Sequence, residues 1–177
     1  MKIIRYRDGD DNVHYAAERD GTHFKIAGDI YTDFTITDEA ADIAKLLAPV
    51  EPTAILCIGL NYKEHAEEAG MEVGDNPVLF VKGINAVQNP DDPIVVPKFL
   101  ESEEVDYECE LAVVIKKACK NVIREHALEY VLGYTCSNDV SARDWQLKKG
   151  GGQWCRGKFF DTFGPLGPCL VTTDEIT

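Results

Sequence analysis

Three carboxylates in this chain have spacings that suit the binding of one hard divalent cation. Glu108 and Glu110 lie two residues apart in a segment with the composition of a β-strand. Side chains in a strand alternate between faces, so both glutamates project from one face, about 7 Å apart. Asp139 follows another apolar segment and supplies a third acid. Close carboxylates repel one another unless a cation or a proton lies between them, and an all-oxygen ligand set favours magnesium, calcium or manganese over zinc.

The opposite face of this strand is apolar, and we expect it to pack on a core. Its members are Tyr107, Cys109, Leu111, Val113 and Ile115. The two acids would then occupy one end of the other face, ahead of Ala112 and Val114. On these residues alone an exposed edge strand, with both acids in water, remains an equally good interpretation.

The segment around Asp139 adds two groups that could bind a substrate. The sequence predicts a strand over residues 134–138 and a helix over 141–149, which residues 150–152, three glycines, would end. Arg143 and Gln146 stand four and seven residues after Asp139, on one helical face. The order suits a metal ligand, a group for a substrate carboxylate and a group for a substrate oxygen. The alternative is that Asp139 caps the helix and Arg143 forms a surface ion pair.

A predicted helix over residues 62–69 carries a second candidate pair. His65 and Glu68 are three residues apart and share a face. A carboxylate can fix the tautomer of a histidine whose proton affinity lies near neutral pH, so the pair could act as a general base. On the spacing alone, an ordinary solvent-facing helix is the favoured interpretation. Its other residues are very polar, which predicts weak docking and mobility.

Composition excludes several functional classes. The net charge is −13, from 31 acidic and 18 basic residues, so nucleic-acid binding is not expected. No segment reaches the length of a membrane span, and the first residues lead into a strand rather than a signal peptide, so we expect a cytoplasmic protein without membrane contact. The six cysteines contain no Cys-x-x-Cys pair, which favours buried free thiols over zinc or disulfides.

The pattern of elements predicts two parts, a small β-rich module over residues 1–50 and a main domain over 51–177. The module is expected to hold three antiparallel strands and one amphipathic helix. The acidic loop over residues 101–106 is expected to be solvated. The expected strands are 2–6, 13–18, 23–27, 54–60, 77–82, 94–97 and 169–172, and the further helices are 37–47 and 124–131.

Five segments, in order, resemble the fumarylacetoacetate hydrolase family. They are residues 59–65, 77–82, 106–111, 138–144 and 158–168. The resemblance covers roughly residues 54–175, and the N-terminal module resembles the small domain that precedes the catalytic domain in many members. It implies an α+β fold with a mixed β-roll, and a homodimer. Family members usually continue well past residue 177, with a part that completes the roll and carries a Gly-Thr-Pro segment, so the roll is expected to be incomplete here.

The resemblance also implies roles for individual residues. The metal, magnesium or manganese with calcium as a substitute, would be bound by Glu108, Glu110 and Asp139. The dyad that activates water on a mobile lid helix would be His65 and Glu68. Groups that meet the substrate would be Lys82, Arg143, Gln146 and Lys158, with Lys158 counted among the catalytic groups.

The function implied by the resemblance is metal-dependent hydrolysis of a C–C bond in a small 2-oxo or 1,3-dicarbonyl acid, such as an acylpyruvate or fumarylacetoacetate, in the catabolism of aromatic compounds. An isomerase, decarboxylase or enol–keto tautomerase of a 2-hydroxy-dienedioate or of oxaloacetate is the alternative. A metal chelated by a 2-oxo acid stabilises the enolate common to these reactions. A third possibility is a catalytically inactive, truncated subunit that acts by association.

Overall fold

Strands dominate the computed structural model of this chain, which describes residues 1–68 and 70–176. The strands are β1 Lys2–Arg7, β2 Val13–Arg19, β3 Thr22–Gly28, β4 Phe34–Ala40, β5 Lys45–Leu47, β6 Ile55–Gly59, β7 Val78–Lys82, β8 Val87–Gln88, β9 Val105–Asp106, β10 Cys109–Ile115, β11 Val131–Asn138, β12 Ser141–Ala142, β13 Gly164–Pro165 and β14 Leu170–Thr172. The helices are α1 Lys63–Glu68, four 3-10 helices (Ile84–Ala86, Arg124–Tyr130, Trp154–Gly157, Thr173–Glu175) and a π-helix, Asp144–Lys149. Within these described residues, no helix has the length and hydropathy needed to cross a membrane.

The largest sheet has eight strands and runs in the order β10-β11-β14-β1-β2-β3-β4, with β5 also paired to β1. All of its pairings are antiparallel, whereas β8 and β13 pair in parallel, so the fold is mixed. Strand β14 joins the N-terminal strands to β11. At that join a Cβ on Gly133 would come within 2.3 Å of the Val171 carbonyl oxygen, so only glycine permits this close approach. The predicted α+β class is confirmed, and the described sheets do not close.

The predicted helix over residues 37–47 is wrong. Residues Phe34–Ala40 form β4 against β3, and Lys45–Leu47 form β5 against β1. The run Phe34-Thr35-Ile36-Thr37 carries three β-branched residues, which fit a pleated, half-buried surface better than a helix. Pairing with β3 therefore overrode the helical spacing of the alanines. The three strands expected before residue 28 are confirmed as β1, β2 and β3.

The segment expected to form a helix over residues 141–149 starts as a strand. Ser141 pairs with Asp106 of β9, and the helix begins only at Asp144, with π geometry. The acidic side chains of the preceding loop, Glu101, Glu103 and Glu104, are exposed, as expected. The loop itself is tied to this segment, because Ser102 donates to Asp144 Oδ1 at 2.6 Å and Arg143 N donates to Glu104 O at 2.8 Å. The strand expected over residues 94–97 is absent from this described region, and Arg124–Tyr130 is a 3-10 helix.

The apolar face of β10 points outward, which reverses the expectation for this strand. Leu111, Val113 and Ile115 are each half-exposed or more, whereas Val114 on the other face packs against the cluster around Ile3 and Leu170. The strand lies at the edge of the sheet, so within this chain only one of its faces meets a core. A second cluster, formed by Ala86, Val140, Ala142 and Phe163, lies beside the candidate site. All six cysteines are free, and Cys109, Cys119 and Cys136 are exposed rather than buried.

Candidate active site

The three carboxylates lie together at the point where β10 begins and β11 ends. Each of Glu108, Glu110 and Asp139 offers an oxygen within 4.8 Å of the others. Cys109 pairs with Asn138 in the antiparallel ladder, and Asp139 N donates to Glu108 O at 2.9 Å. The strand pairing therefore brings the two ends of this cluster together, although about 30 residues separate them in sequence.

The electrostatics of the cluster favour a bound cation. Burial, together with the neighbouring charges of Asp139 and Glu108, raises the pKa of Glu110 to about 7. Asp139 is almost fully buried, and its Oδ1 forms an ion pair with the Lys82 ammonium group at 2.7 Å. An all-oxygen set of three crowded, partly or fully buried carboxylates fits a hard divalent metal ion.

Lys158 is buried between two of these carboxylates. Its ammonium group donates to Asp139 Oδ2 at 2.6 Å, to Glu108 Oε1 at 3.0 Å and to Ser141 Oγ at 2.6 Å. These three contacts use all three of its N–H groups. Lys158 therefore fixes the orientation of two candidate metal ligands while it keeps a positive charge in the cavity wall.

Lys82 lies behind the cluster rather than in the cavity wall. Its Nζ donates to the carbonyl oxygens of Val140, Lys158 and Phe163 at 3.2, 2.7 and 2.9 Å, and it lies 2.7 Å from Asp139 Oδ1. Burial lowers the pKa of this ammonium group. The predicted contact between Lys82 and substrate stays a prediction; the contacts it makes here are with the chain itself.

Arg143 is surrounded by acceptors. Nε and Nη2 both donate to Asp106 Oδ2, at 3.1 and 2.8 Å, and Nη1 donates to Glu108 Oε1 and, at 3.0 Å, to Gln146 Oε1. The predicted neighbours Arg143 and Gln146 thus lie together, as the spacing indicated. The first turn of the π-helix, next to β12, positions both of them.

One cavity of about 480 Å³ collects most of the residues singled out from the sequence. Those in its wall are His65, Glu68, Glu108, Glu110, Arg143, Gln146 and Lys158. Asp139 lies behind the wall with Lys82. Sequence reasoning missed Asp106, Ser141 and Phe80, although all three stand inside the recognised segments, and it missed Trp154, which forms an aromatic pair with Phe80 and lies outside them.

Helix α1 brings His65 and Glu68 to this cavity without joining them. Among the described residues no hydrogen bond links the two side chains, so the dyad and its role stay a prediction. Ala66 is the buried residue of the helix, and the Tyr62 hydroxyl accepts a hydrogen bond from Leu111 N of β10 at 3.0 Å. Two residues with a left-handed backbone conformation flank the helix, Leu60 with φ 55° and Gly70 with φ 63°. The predicted helix end at residue 69 lies outside the described residues.

Comparisons with known proteins point to one family. The family model described as fumarylacetoacetate (FAA) hydrolase C-terminal matches residues 54–177. The fumarylacetoacetate hydrolase domain-containing protein 2 homolog of Dictyostelium discoideum is 57% identical over 132 residues, which cover 75% of this chain and 43% of that protein. The mitochondrial oxaloacetate tautomerase of Xenopus laevis is 53% identical over 133 residues, which cover 75% of this chain and 41% of that protein.

A solved structure agrees over nearly the whole chain. The 5-carboxymethyl-2-hydroxymuconate delta-isomerase from Mycobacterium smegmatis superposes with a TM-score of 0.83 at 37% identity, covering 98% of this chain and 67% of that one. The chain therefore spans less than half the length of the two curated relatives, and about two thirds of the solved structure.

Proposed function

Because the chain belongs to the fumarylacetoacetate hydrolase family, we propose that it carries out metal-dependent hydrolysis of a C–C bond in a small 2-oxo or 1,3-dicarbonyl acid of the acylpyruvate or fumarylacetoacetate type. The observation that carries the proposal is the group of Glu108, Glu110 and Asp139, whose oxygens converge beside a cavity that also holds His65. Magnesium or manganese is the proposed metal, since all three donors are carboxylates.

A divalent cation held by the three carboxylates would supply a Lewis acid for the 2-oxo acid group. The chain's own residues would do the rest. His65 would take a proton from the water that attacks the acyl carbon, with Glu68 on the same helix to favour the charged imidazole. The C–C bond would then break, its electron pair would pass to the pyruvate fragment, and the proton taken up by His65 would be returned to that carbon to complete the product. Lys158 would hold Glu108 and Asp139 in place throughout.

Acetylpyruvate turnover with magnesium or manganese tests the proposal. We expect activity in the wild-type chain and its loss, together with loss of metal binding, in Glu110→Ala. The control is Glu125→Ala, an exposed acid on the 3-10 helix Arg124–Tyr130, which should change neither. Equal metal binding and turnover in wild type and Glu110→Ala would contradict the assignment.

The alternative reaction is isomerisation, decarboxylation or enol–keto tautomerisation of a 2-hydroxy-dienedioate or oxaloacetate. The names of the relatives, an oxaloacetate tautomerase and a hydroxymuconate isomerase, favour it. These reactions need no water-activating base. His65→Ala distinguishes the two, because hydrolysis should collapse while enol–keto exchange survives. Survival of both activities would remove the dyad from the mechanism.

A different class of function is that of an inactive subunit that acts by association. Exposed apolar side chains on β6, β7 and β10 support this alternative. Metal binding without turnover of any 2-oxo acid would favour this alternative. For the active protein we propose a cytoplasmic homodimer in the breakdown of aromatic compounds, a setting that the solved muconate isomerase suggests by its name.

A further inference from the structure

The cations in the cavity wall are already matched to carboxylates. Over residues 1–68 and 70–176, the permanent cations that line the cavity are Arg143 and Lys158. All three N–H groups of Lys158 donate hydrogen bonds, to Asp139, Glu108 and Ser141. Four of the five N–H groups of Arg143 also have acceptors within the chain. Lys158 therefore has no N–H group left for a distant carboxylate on a substrate, and Arg143 has one, which is too few for a bidentate contact.

Asp106 occupies one edge of the Arg143 guanidinium group. Its Oδ2 accepts from both Nε and Nη2, along the edge of the guanidinium group that would otherwise clamp a carboxylate. The backbone of Asp106 belongs to β9 and pairs with Ser141 of β12. This pairing places the backbone of Asp106 beside Arg143, and the ion pair of the two side chains, with Asp106 48% exposed, lies in the cavity wall.

Several apolar side chains also line the cavity. Phe80 and Trp154 form an edge-to-face pair with ring centroids 5.8 Å apart. The Trp154 ring lies so close to Gly59 that a Cβ there would come within 2.4 Å of it. Ile58 and Leu147 line the same cavity. A substrate tail on this side would meet carbon atoms, where a charged group would lose its hydration without a partner.

The charge balance favours a single negative charge on the substrate. In and behind the wall, the carboxylates are Glu68, Asp106, Glu108, Glu110 and Asp139, and the cations are Lys82, Arg143 and Lys158. A divalent metal ion would bring this set to neutrality. The 2-oxo carboxylate of a bound substrate then adds one negative charge, and a second carboxylate would add another with no free cation to offset it.

We propose that Asp106 is a specificity-determining residue, and that the cavity selects monoanionic 2-oxo acids with an uncharged tail over dicarboxylic 2-oxo acids. The inference rests on the proposed function and narrows it to acylpyruvate-type substrates.

A matched pair of ligands tests the inference. 2-Oxopentanoate and 2-oxoglutarate have the same carbon chain and differ in a terminal methyl group against a carboxylate. We would measure their dissociation constants by calorimetry in saturating magnesium. The expected result is that wild type binds 2-oxopentanoate at least about tenfold more tightly, a difference of about 1.4 kcal/mol. Asp106→Asn should bring the two constants within about threefold, by tightening 2-oxoglutarate, because the second carboxylate can then reach Arg143.

Glu103→Gln is the control, since it removes one negative charge from the same exposed loop outside the cavity and should leave the ratio unchanged. If Asp106→Asn does not fold, the wild-type ratio and Asp106→Ser still test the inference. Equal or tighter binding of 2-oxoglutarate by wild type, or an unchanged ratio in a folded Asp106 variant, overturns the inference and leaves the proposed function standing. Binding of neither acid overturns the proposed function itself.

Discussion

Glu110 is the residue whose protonation should control metal binding. Its pKa is raised from 4.5 to about 7, first by burial and then by Asp139 and Glu108. A metal ion competes with that proton, so magnesium affinity should rise from pH 6 to pH 8 and level off above, with proton release on binding detected in calorimetry across buffers. An affinity that does not change over this range would contradict the shift.

Without metal, the same group should make stability depend on pH with a definite sign. The folded pKa of Glu110 is raised, so its contribution to stability is complete below pH 4.5 and is lost as pH rises through about 7. Wild type should therefore lose stability relative to Glu110→Gln over this window, in urea unfolding followed at several pH values. Saturating magnesium should reverse the trend, because it favours the ionised form. Parallel pH profiles for the two proteins would count against this prediction.

Lys82 should contribute more to stability than any surface lysine. Lys82→Met leaves three carbonyl oxygens and Asp139 Oδ1 without their partner, and an uncompensated buried charge costs about 3 kcal/mol or more. Urea unfolding measures the loss, and Lys98→Met, on an exposed loop, is the control. The variant should also bind magnesium more weakly, since Asp139 loses its orientation. A loss below about 1 kcal/mol would show that water replaces the ammonium group.

At the scale of elements, α1 is held by few contacts. Ala66 is its buried residue, and the bond from Leu111 N to the Tyr62 hydroxyl ties its start to β10. We expect amides of Lys63–Glu68 to exchange quickly in the free protein and slowly with oxalate and magnesium. Tyr62→Phe should speed exchange in this helix, with Tyr130→Phe as the control. Strong protection of these amides in the absence of ligand would show that α1 is rigid and would contradict the prediction.

The elements also show what a sequence can predict. The face shared by Glu108 and Glu110 followed from strand alternation alone, because that period is strict. Which face of β10 is inside did not follow, since it depends on what packs there, and here Val114 rather than Val113 meets a core. Likewise the partner of Arg143 depended on β9, which two residues form and whose register no local pattern reveals.

At the scale of the molecule, an exposed apolar surface predicts self-association. Leu56, Ile58, Leu79 and Val81 lie on one face of the β6–β7 pair, and each is more than 40% exposed. Such contiguous patches commonly mark contact surfaces. Sedimentation velocity at micromolar concentrations should detect a dimer, and Leu79→Lys should shift it toward monomer. A wild-type monomer at these concentrations would contradict both this prediction and the proposed homodimer.

The pairing of β1 with β14 has a consequence for how the chain acquires its structure. Thr172 N donates a hydrogen bond to Met1 O, and these two residues are 171 positions apart in the sequence. During synthesis the first strand emerges long before the strand that will lie beside it. Closing so large a loop costs entropy before any contact repays it, so the pairing of β1 with β14 should form after the local pairings among β1 to β4, and its formation should be slow. Until then the start of β1 and the edge of β14 lack partners, and unpaired strand edges favour aggregation.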